Sequence, residues 1–321
     1  MLPVLSVSPG YWQDRPASEW APTVEAADRL GYGELWLGEM ATYDVFALAT
    51  AVAQRTERIA LTVGPLAVAV RDPMSIARGV ASLADLTGRR VGVALGTSSP
   101  VVVTEWHGRD RRRPALALSE SATAVRAFLD GEKVTLDGAV VRTRGYRLRL
   151  PAPKSELTIA AFGPAAVRTA AALADRMVLN LITPASAAAL VRDMRAASGE
   201  RAPRVAVWVT AAVDPSPAAL EQLRRGIVGY LAAPGYGEMF IEAGFGDLVA
   251  FARTRPHPRE LLNAVPAEAI AAIGLVGDLA AVAGRLAEYA AAGADEVVLI
   301  PASTDDDPGG ERTLRAIRSL I

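Results

Sequence analysis

Residues 56–99 read TERIALTVGPLAVAVRDPMSIARGVASLADLTGRRVGVALGTSS, and the fold turns on this stretch. Ile59–Gly64 and Val91–Gly96 are short aliphatic runs, apolar on both faces instead of alternating, as strands covered on both sides should be. Between them, Pro73–Leu86 has apolar residues spaced by about 3.6 positions, so it predicts an amphipathic helix. Pro73 suits the first turn of that helix, and Gly88 stands where a left-handed residue would close it. Strand, helix and strand in this order predict a βαβ unit with parallel strands.

The same alternation extends in both directions. Further strands are predicted at Val4–Ser8, Glu34–Gly38, Leu157–Ala161, Met177–Leu181, Val205–Ala211 and Val297–Ile300, which brings the number to eight. Helices are predicted at Trp20–Leu30, Asp44–Gln54, Ser119–Leu129, Ala165–Ala174, Pro184–Ala197 and Leu279–Ala292, with Gly31 and Gly293 as closing residues and Pro164 and Pro184 as opening ones. Eight strands alternating with helices fit a closed (β/α)8 barrel better than an open doubly wound sheet, and no GxGxxG follows the first strand. The expectation is an α/β chain forming one barrel domain over residues 1–321.

Two insertions interrupt it. The first, at about 131–150, carries Asp137-Gly138 between two β-prone runs and predicts a small hairpin. The second, at about 220–276 after the seventh strand, holds more helix than one βα unit needs and could cover the barrel mouth.

Composition removes several functions. The chain of 321 residues is 51% hydrophobic and 21% charged, enough to bury a substantial core. Thirty-four basic against thirty-five acidic residues give a net charge of −1, which argues against nucleic acid or a membrane surface and for a small-molecule partner. Thirty-two of the basic residues are arginines; Lys133 and Lys154 are the only lysines. Absence of cysteine excludes thiolate metal sites, iron–sulfur clusters and cysteine nucleophiles, and two histidines exclude a three-histidine metal site within the chain. The first charge is Asp14, and no apolar run reaches the ~18 residues of a membrane span, so the expected location is the cytoplasm.

Active sites in this fold gather where the strands end at their C-terminal sides. Those positions are Ser8-Pro9, Glu39-Met40, Gly64-Pro65, Gly96 to Ser99, Phe162-Gly163-Pro164, Asn180 to Thr183 and Pro301-Ala302. They offer one carboxylate, hydroxyls, an amide and many small residues, without a Ser/His/Asp set or a carboxylate pair. Such an enzyme would let a cofactor carry the chemistry. The turn from Phe162 through Gly163 and Pro164 to Ala165 opens a helix whose N–H groups and dipole suit a phosphate. His107 and His257 lie among loop-formers and arginines and read first as surface histidines; His107, on the loop after the fourth strand, is the better general acid or base. Arg109 and Arg111 to Arg113 form either a solvated basic face or an anion landing site. Tyr230, Tyr236 and Phe240 either line a substrate pocket or belong to the core.

GYGELWLGEM (31–40), followed by residues 56–99, resembles the luciferase-like flavin and deazaflavin family, and within it the oxidoreductases that depend on coenzyme F420, a deazaflavin. LTIAAFGPAAVRTAAALADRMVLN (157–180) and GLVGDLAAVAGRLAEYAAAGADEVVLIP (274–301) resemble its fifth and eighth strand units. The resemblance implies a TIM-like barrel, commonly a homodimer, with the cofactor ring in the barrel mouth. It implies that Gly64-Pro65 forms a bulge with a cis peptide behind the ring, since a proline there lowers the cost of a cis bond to roughly 0.5–1 kcal/mol. Gly96, Thr97 and Ser98 would lie beside the ring, the Phe162–Ala165 turn would meet the phosphate-bearing tail, and Thr183 would join these contacts. On the second reading of the basic run, Arg109 and Arg111 to Arg113 would receive the tail's glutamates.

Glu39 stands where relatives carry an acidic residue near the ring; its other reading is a carboxylate paired with an arginine at the rim. Met40 departs from the sugar- and alcohol-oxidising relatives, which place a basic histidine there, and Ser98 falls where some relatives carry a glutamate acid. Glu39 and His107 are left as catalytic candidates. The resemblance thus implies hydride transfer between F420 and a small organic substrate, with reduction of an activated C=C or C=N bond favoured over alcohol oxidation. The alternatives are an FMN-dependent monooxygenase of the same fold and a cofactor-binding protein without catalysis.

Overall fold

The computed structural model describes residues 2–10, 15–39 and 41–321; Met40 lies outside the described residues. Along the chain the strands are β1 (Val4–Val7), β2 (Glu34–Leu37), β3 (Ala60–Ala67), β4 (Val91–Gly96), β5 (Val134–Asp137), β6 (Arg142–Tyr146), β7 (Leu157–Ala160), β8 (Arg176–Asn180), β9 (Arg204–Val213), β10 (Leu275–Gly277) and β11 (Glu296–Pro301). All eight strands expected from the sequence are present. The helices are α1 (Trp20–Arg29), α2 (Val45–Arg55), α3 (Pro73–Thr87), α4 (Pro114–Leu129), α5 (Pro164–Leu173), α6 (Pro184–Ala197), α7 (Pro217–Val228), α8 (Tyr236–Glu242), α9 (Gly246–Arg253), α10 (Pro258–Ala264), α11 (Ala267–Ile273), α12 (Leu279–Ala291) and α13 (Glu311–Arg318). With β5, β6 and the three-residue β10 set aside, each strand is followed by a helix, and the chain has the (β/α)8-barrel fold. Among the described residues no helix is long and apolar enough to cross a membrane.

The helix boundaries follow from local chemistry. Asp44 accepts from the Phe46 and Ala47 N–H groups at 3.0 Å, and Asp72 from Ser75 N–H at 2.9 Å, so carboxylates satisfy the open first turns of α2 and α3. Gly88 ends α3 in the left-handed region at φ +66°. Helix α4 starts at Pro114, earlier than the Ser119 expected, because the proline needs no N–H partner at a first helical position. Val101–Trp106 forms a π-helical turn that the sequence did not predict.

The residues fall into two compact units. The first comprises the described residues up to Tyr32 together with Leu179–Arg192 and Val205–Ile321. In it β1, β11, β9 and β10 run parallel, with Val7 opposite Leu299, Val298 opposite Trp208 and Leu275 opposite Ala211. Helices α7 to α11 make up the insertion expected near 220–276. Phe240 is fully buried against Phe245, at 6.4 Å between rings, and belongs to the core.

The second unit comprises Gly33–Val178 and Asp193–Arg204. Its strands run parallel in the order β2, β3, β4, β7, β8. At their N-terminal ends sits Arg176, 0% exposed, with its guanidinium 4.2 Å from the Trp36 ring. It donates to both Glu34 oxygens at 3.0 and 3.1 Å, to the Thr62 and Thr158 hydroxyls at 3.0 and 3.2 Å, and pairs with Glu156 at 3.0 Å. A buried charge is tolerable only when its donors are satisfied in this way. Burial pushes the Glu34 carboxyl up, but the hydrogen bonds and charge of Arg176, with the Thr62 hydroxyl, hold it below the ordinary carboxylate range.

The hairpin expected at 131–150 is present as antiparallel β5 and β6. Its turn differs from the Asp137-Gly138 reading: Asp137 pairs with Arg142, leaving a four-residue loop closed by Gly138 N–H to Val141 O at 3.0 Å. The Glu120 carboxylate on α4 accepts from the N–H groups of Ala139, Val140 and Val141 at 2.7–2.9 Å, so a helix side chain holds the loop.

Candidate active site

In the second unit the C-terminal ends of β3, β4 and β7 bring small residues together. The Gly64–Pro65 peptide is cis, at a register shift between Val63 and Leu66 in the pairing of β3 with β4. Gly64 has φ +110°, and a Cβ there would lie 2.3 Å from the Ala94 carbonyl and 2.7 Å from Leu66 N. Only glycine fits this backbone. A Cβ at Gly96 would be 3.4 Å from the Cβ atoms of both Pro65 and Ala160, so small residues of the three strand ends lie side by side.

Glu39 lies two residues past β2. Arg71 grips its two carboxylate oxygens, one from Nε at 2.8 Å and the other from Nη2, while the same Nη2 reaches Asp44. Burial pushes the Asp44 carboxyl up, but the Ala47 N–H and Arg71 bring it below its ordinary value. Glu39 thus occupies the arginine-paired arrangement at the rim.

Beyond β3 and β4 lies a cleft of about 410 Å³ lined by Val68–Pro73, Thr97, Arg109 to Arg112 and the hairpin loop. Arg111 donates from Nε and Nη2 to Ser98 O at 3.1 and 2.7 Å, fixing the turn in which Ser98 has φ +55°. Arg112 pairs with Asp110. Arg109 and Arg111 have no carboxylate partner among the described residues. Arg113 instead precedes α4 in the left-handed region at φ +56°.

Gly163 stands before α5 with φ −87° and offers no capping side chain; a Cβ there would meet nothing within 4 Å. The first-turn N–H groups of Ala165 and Ala166 open beside it. In the first unit, Thr183 is 8% exposed and caps α6, its hydroxyl accepting from Ser186 N–H at 3.2 Å. Tyr230 and Tyr236 meet edge to face at 4.9 Å. Burial pushes both phenols up.

Of the sequence candidates, Gly64, Pro65 and Gly96 converge, and Thr97 joins three arginines of the basic run in the cleft. His107 is exposed beyond the π-helical turn and is not among the residues lining that cleft. His257 is exposed and accepts from Arg259 N–H at 3.2 Å, as a surface capping residue. Arg71 and the role of Arg111 as a loop anchor were not legible in the sequence, where each is one arginine among thirty-two.

These features define a (β/α)8-barrel enzyme. The chain belongs to the luciferase-like monooxygenase family, whose model matches residues 5–296, and with it to the oxidoreductases. A 5,10-methylenetetrahydromethanopterin reductase from Methanolobus tindarius is 25% identical over 71% of this chain and 71% of its own length. A Mycobacterium tuberculosis protein named as a coenzyme F420-dependent oxidoreductase is 23% identical over 94% of this chain and 96% of its own. Among solved structures, the coenzyme F420-dependent tetrahydromethanopterin reductase from Methanopyrus kandleri aligns with TM-score 0.81 at 18% identity, covering 100% of this chain and 98% of that one. An FMN complex of a type II Baeyer–Villiger monooxygenase from Pseudomonas putida aligns with TM-score 0.71 at 16% identity, covering 99% and 97%.

Proposed function

We propose that this protein is an F420-dependent oxidoreductase acting on a small organic substrate. The observation that carries this reading is the cluster of small residues Pro65, Gly96 and Ala160 next to a cleft whose Arg109 and Arg111 lack carboxylate partners among the described residues. A planar ring needs the first, and the acidic tail of a deazaflavin needs the second. FMN, with one phosphate and no glutamates, would use the cluster but not the cleft. Bound there, the deazaflavin supplies or accepts the hydride.

The chain's own residues hold and orient. Pro65, Gly96, Thr97 and Ser98 back the ring, and the turn from Phe162 through Gly163 and Pro164 to Ala165 receives the phosphate at the start of α5. Glu39, tied to Arg71 through both oxygens, is suited to fixing a hydrogen-bond donor in place more than to taking a proton.

Gly163→Val tests the phosphate role cleanly, because the backbone there is extended and the added atoms meet open space. Affinity for F420 should fall by about tenfold or more, the value of one charge-assisted contact, with an unchanged melting temperature. Unchanged affinity removes the role.

The reaction direction follows from the missing base. A methionine at position 40 cannot take a hydroxyl proton, whereas water can protonate the product after a hydride reaches an electron-poor double bond. With reduced F420, turnover of cyclic enones and imines should exceed oxidation of simple alcohols or sugar phosphates by the oxidised cofactor. Faster alcohol oxidation, unaffected by the double change Glu39→Gln and His107→Gln, contradicts the proposal.

A further inference from the structure

A second cavity, of about 350 Å³, lies at the opposite ends of the second unit's strands, where β2, β3, β4, β7 and β8 begin. Its size is within the range of small-molecule sites. Three carboxylates face it, and each is already neutralised. Glu34 is held by Arg176, Glu156 is clamped by Arg204 at 2.7 Å on both oxygens and also meets Arg176, and Asp175 pairs with Arg126 at 2.6 Å. Three further cations line the cavity without a carboxylate hydrogen-bonded to them among the described residues: Arg90, Lys154 and Arg201. All three are exposed, so their side chains are free to turn toward a ligand.

Two more observations single out the same wall. Lys154, one of two lysines in the chain, is held in the left-handed region at φ +46°, a conformation that costs a non-glycine residue free energy and collects at functional positions. Its neighbour Ser155 is 4% exposed, lines the cavity, and has a hydroxyl with no hydrogen-bond partner among the described residues. An unpartnered buried hydroxyl is costly unless something completes it.

We infer that this cavity is a binding site for a phosphate-bearing small molecule, separate from the redox site, with Arg90, Lys154 and Arg201 supplying charge and Ser155 a hydroxyl donor. Guanidinium forks suit phosphate oxygens, and a compact ammonium adds a point charge beside them. In this fold the N-terminal ends of the strands serve stability, whereas the chemistry occupies the C-terminal ends. A ligand here would therefore act on the protein by binding, stabilising the unit it occupies by mass action.

Pyrophosphate is the probe, titrated by calorimetry into the full chain at constant ionic strength, with malonate as a carboxylate control. The wild type should bind pyrophosphate more tightly than malonate. Lys154→Asn, which keeps a residue tolerant of the left-handed backbone, and Arg201→Gln should each weaken pyrophosphate binding by about tenfold, as expected for one charge-assisted contact, while the melting temperature without ligand stays put. Both residues are exposed, so neither variant threatens folding. No binding by the wild type, equal affinity for malonate, or an affinity that both variants leave unchanged would each overturn the assignment; the last would place the anion elsewhere, with the arginine cleft as the next site to examine. None of these outcomes depends on which cofactor the redox site takes.

Discussion

Arg176→Ala is expected to lose about 3–5 kcal/mol of folding stability, because it strips a largely enclosed carboxylate of its main partner and leaves Glu34 only the Thr62 hydroxyl and the more distant charge of Arg90. Urea denaturation measures it directly, and a loss below about 1 kcal/mol, the worth of an exposed ion pair, would contradict the description of this cluster. The pH dependence should also weaken. In the wild type the folded-state pKa of Glu34 lies below its ordinary value. Its contribution is therefore fully present above the unfolded pKa of about 4.3 and lost as pH falls through the folded pKa. Without Arg176, burial is opposed only by the Thr62 hydroxyl and the charge of Arg90, so that pKa should rise toward its ordinary value and the variant should lose less stability on acidification than the wild type.

Gly64→Ala is the second large effect. Its φ of +110° is outside the range of residues with a side chain, and the added carbon would sit 2.3 Å from one backbone atom and 2.7 Å from another. Neither neighbour is a flexible side-chain end that can move aside. Loss of more than about 4 kcal/mol is expected, in the exceptional range for a single change, together with loss of cofactor binding because Pro65 and Gly96 belong to the displaced cluster. A variant that melts within a few degrees of the wild type would show that this turn adapts.

The strands were legible because sheets covered on both faces demand continuous aliphatic runs, and IALTVG and VGVALG can be little else. Helix starts were legible at Pro73, Pro184 and the capping Asp44, but not at Pro114, where Ser119 was expected. What escaped was set by residues distant in sequence. The Asp137-Gly138 pair carries a strong local turn signal, yet Glu120, on a helix that ends eight positions earlier, organises a longer loop. Helix α13 was missed because half of ERTLRAIR is charged, and only Leu314 and Ile317 with Thr313 turn inward. At the site, Gly64, Pro65 and Gly96 announced themselves through backbone requirements. The grip of Arg71 on Glu39 and the buried station of Arg176 had no such signal, since arginines in this chain are common and their partners become neighbours only in the folded state.

The central claim is the identity of the cofactor, and titration of F420 and FMN separately into the purified protein, followed by ultraviolet–visible spectroscopy, tests it most directly. F420 should bind with a dissociation constant at least about tenfold below that of FMN, a difference of about 1.4 kcal/mol drawn from the arginine cleft that FMN leaves unused. Tighter binding of FMN, or an F420 spectrum that the protein leaves unperturbed, would contradict the account.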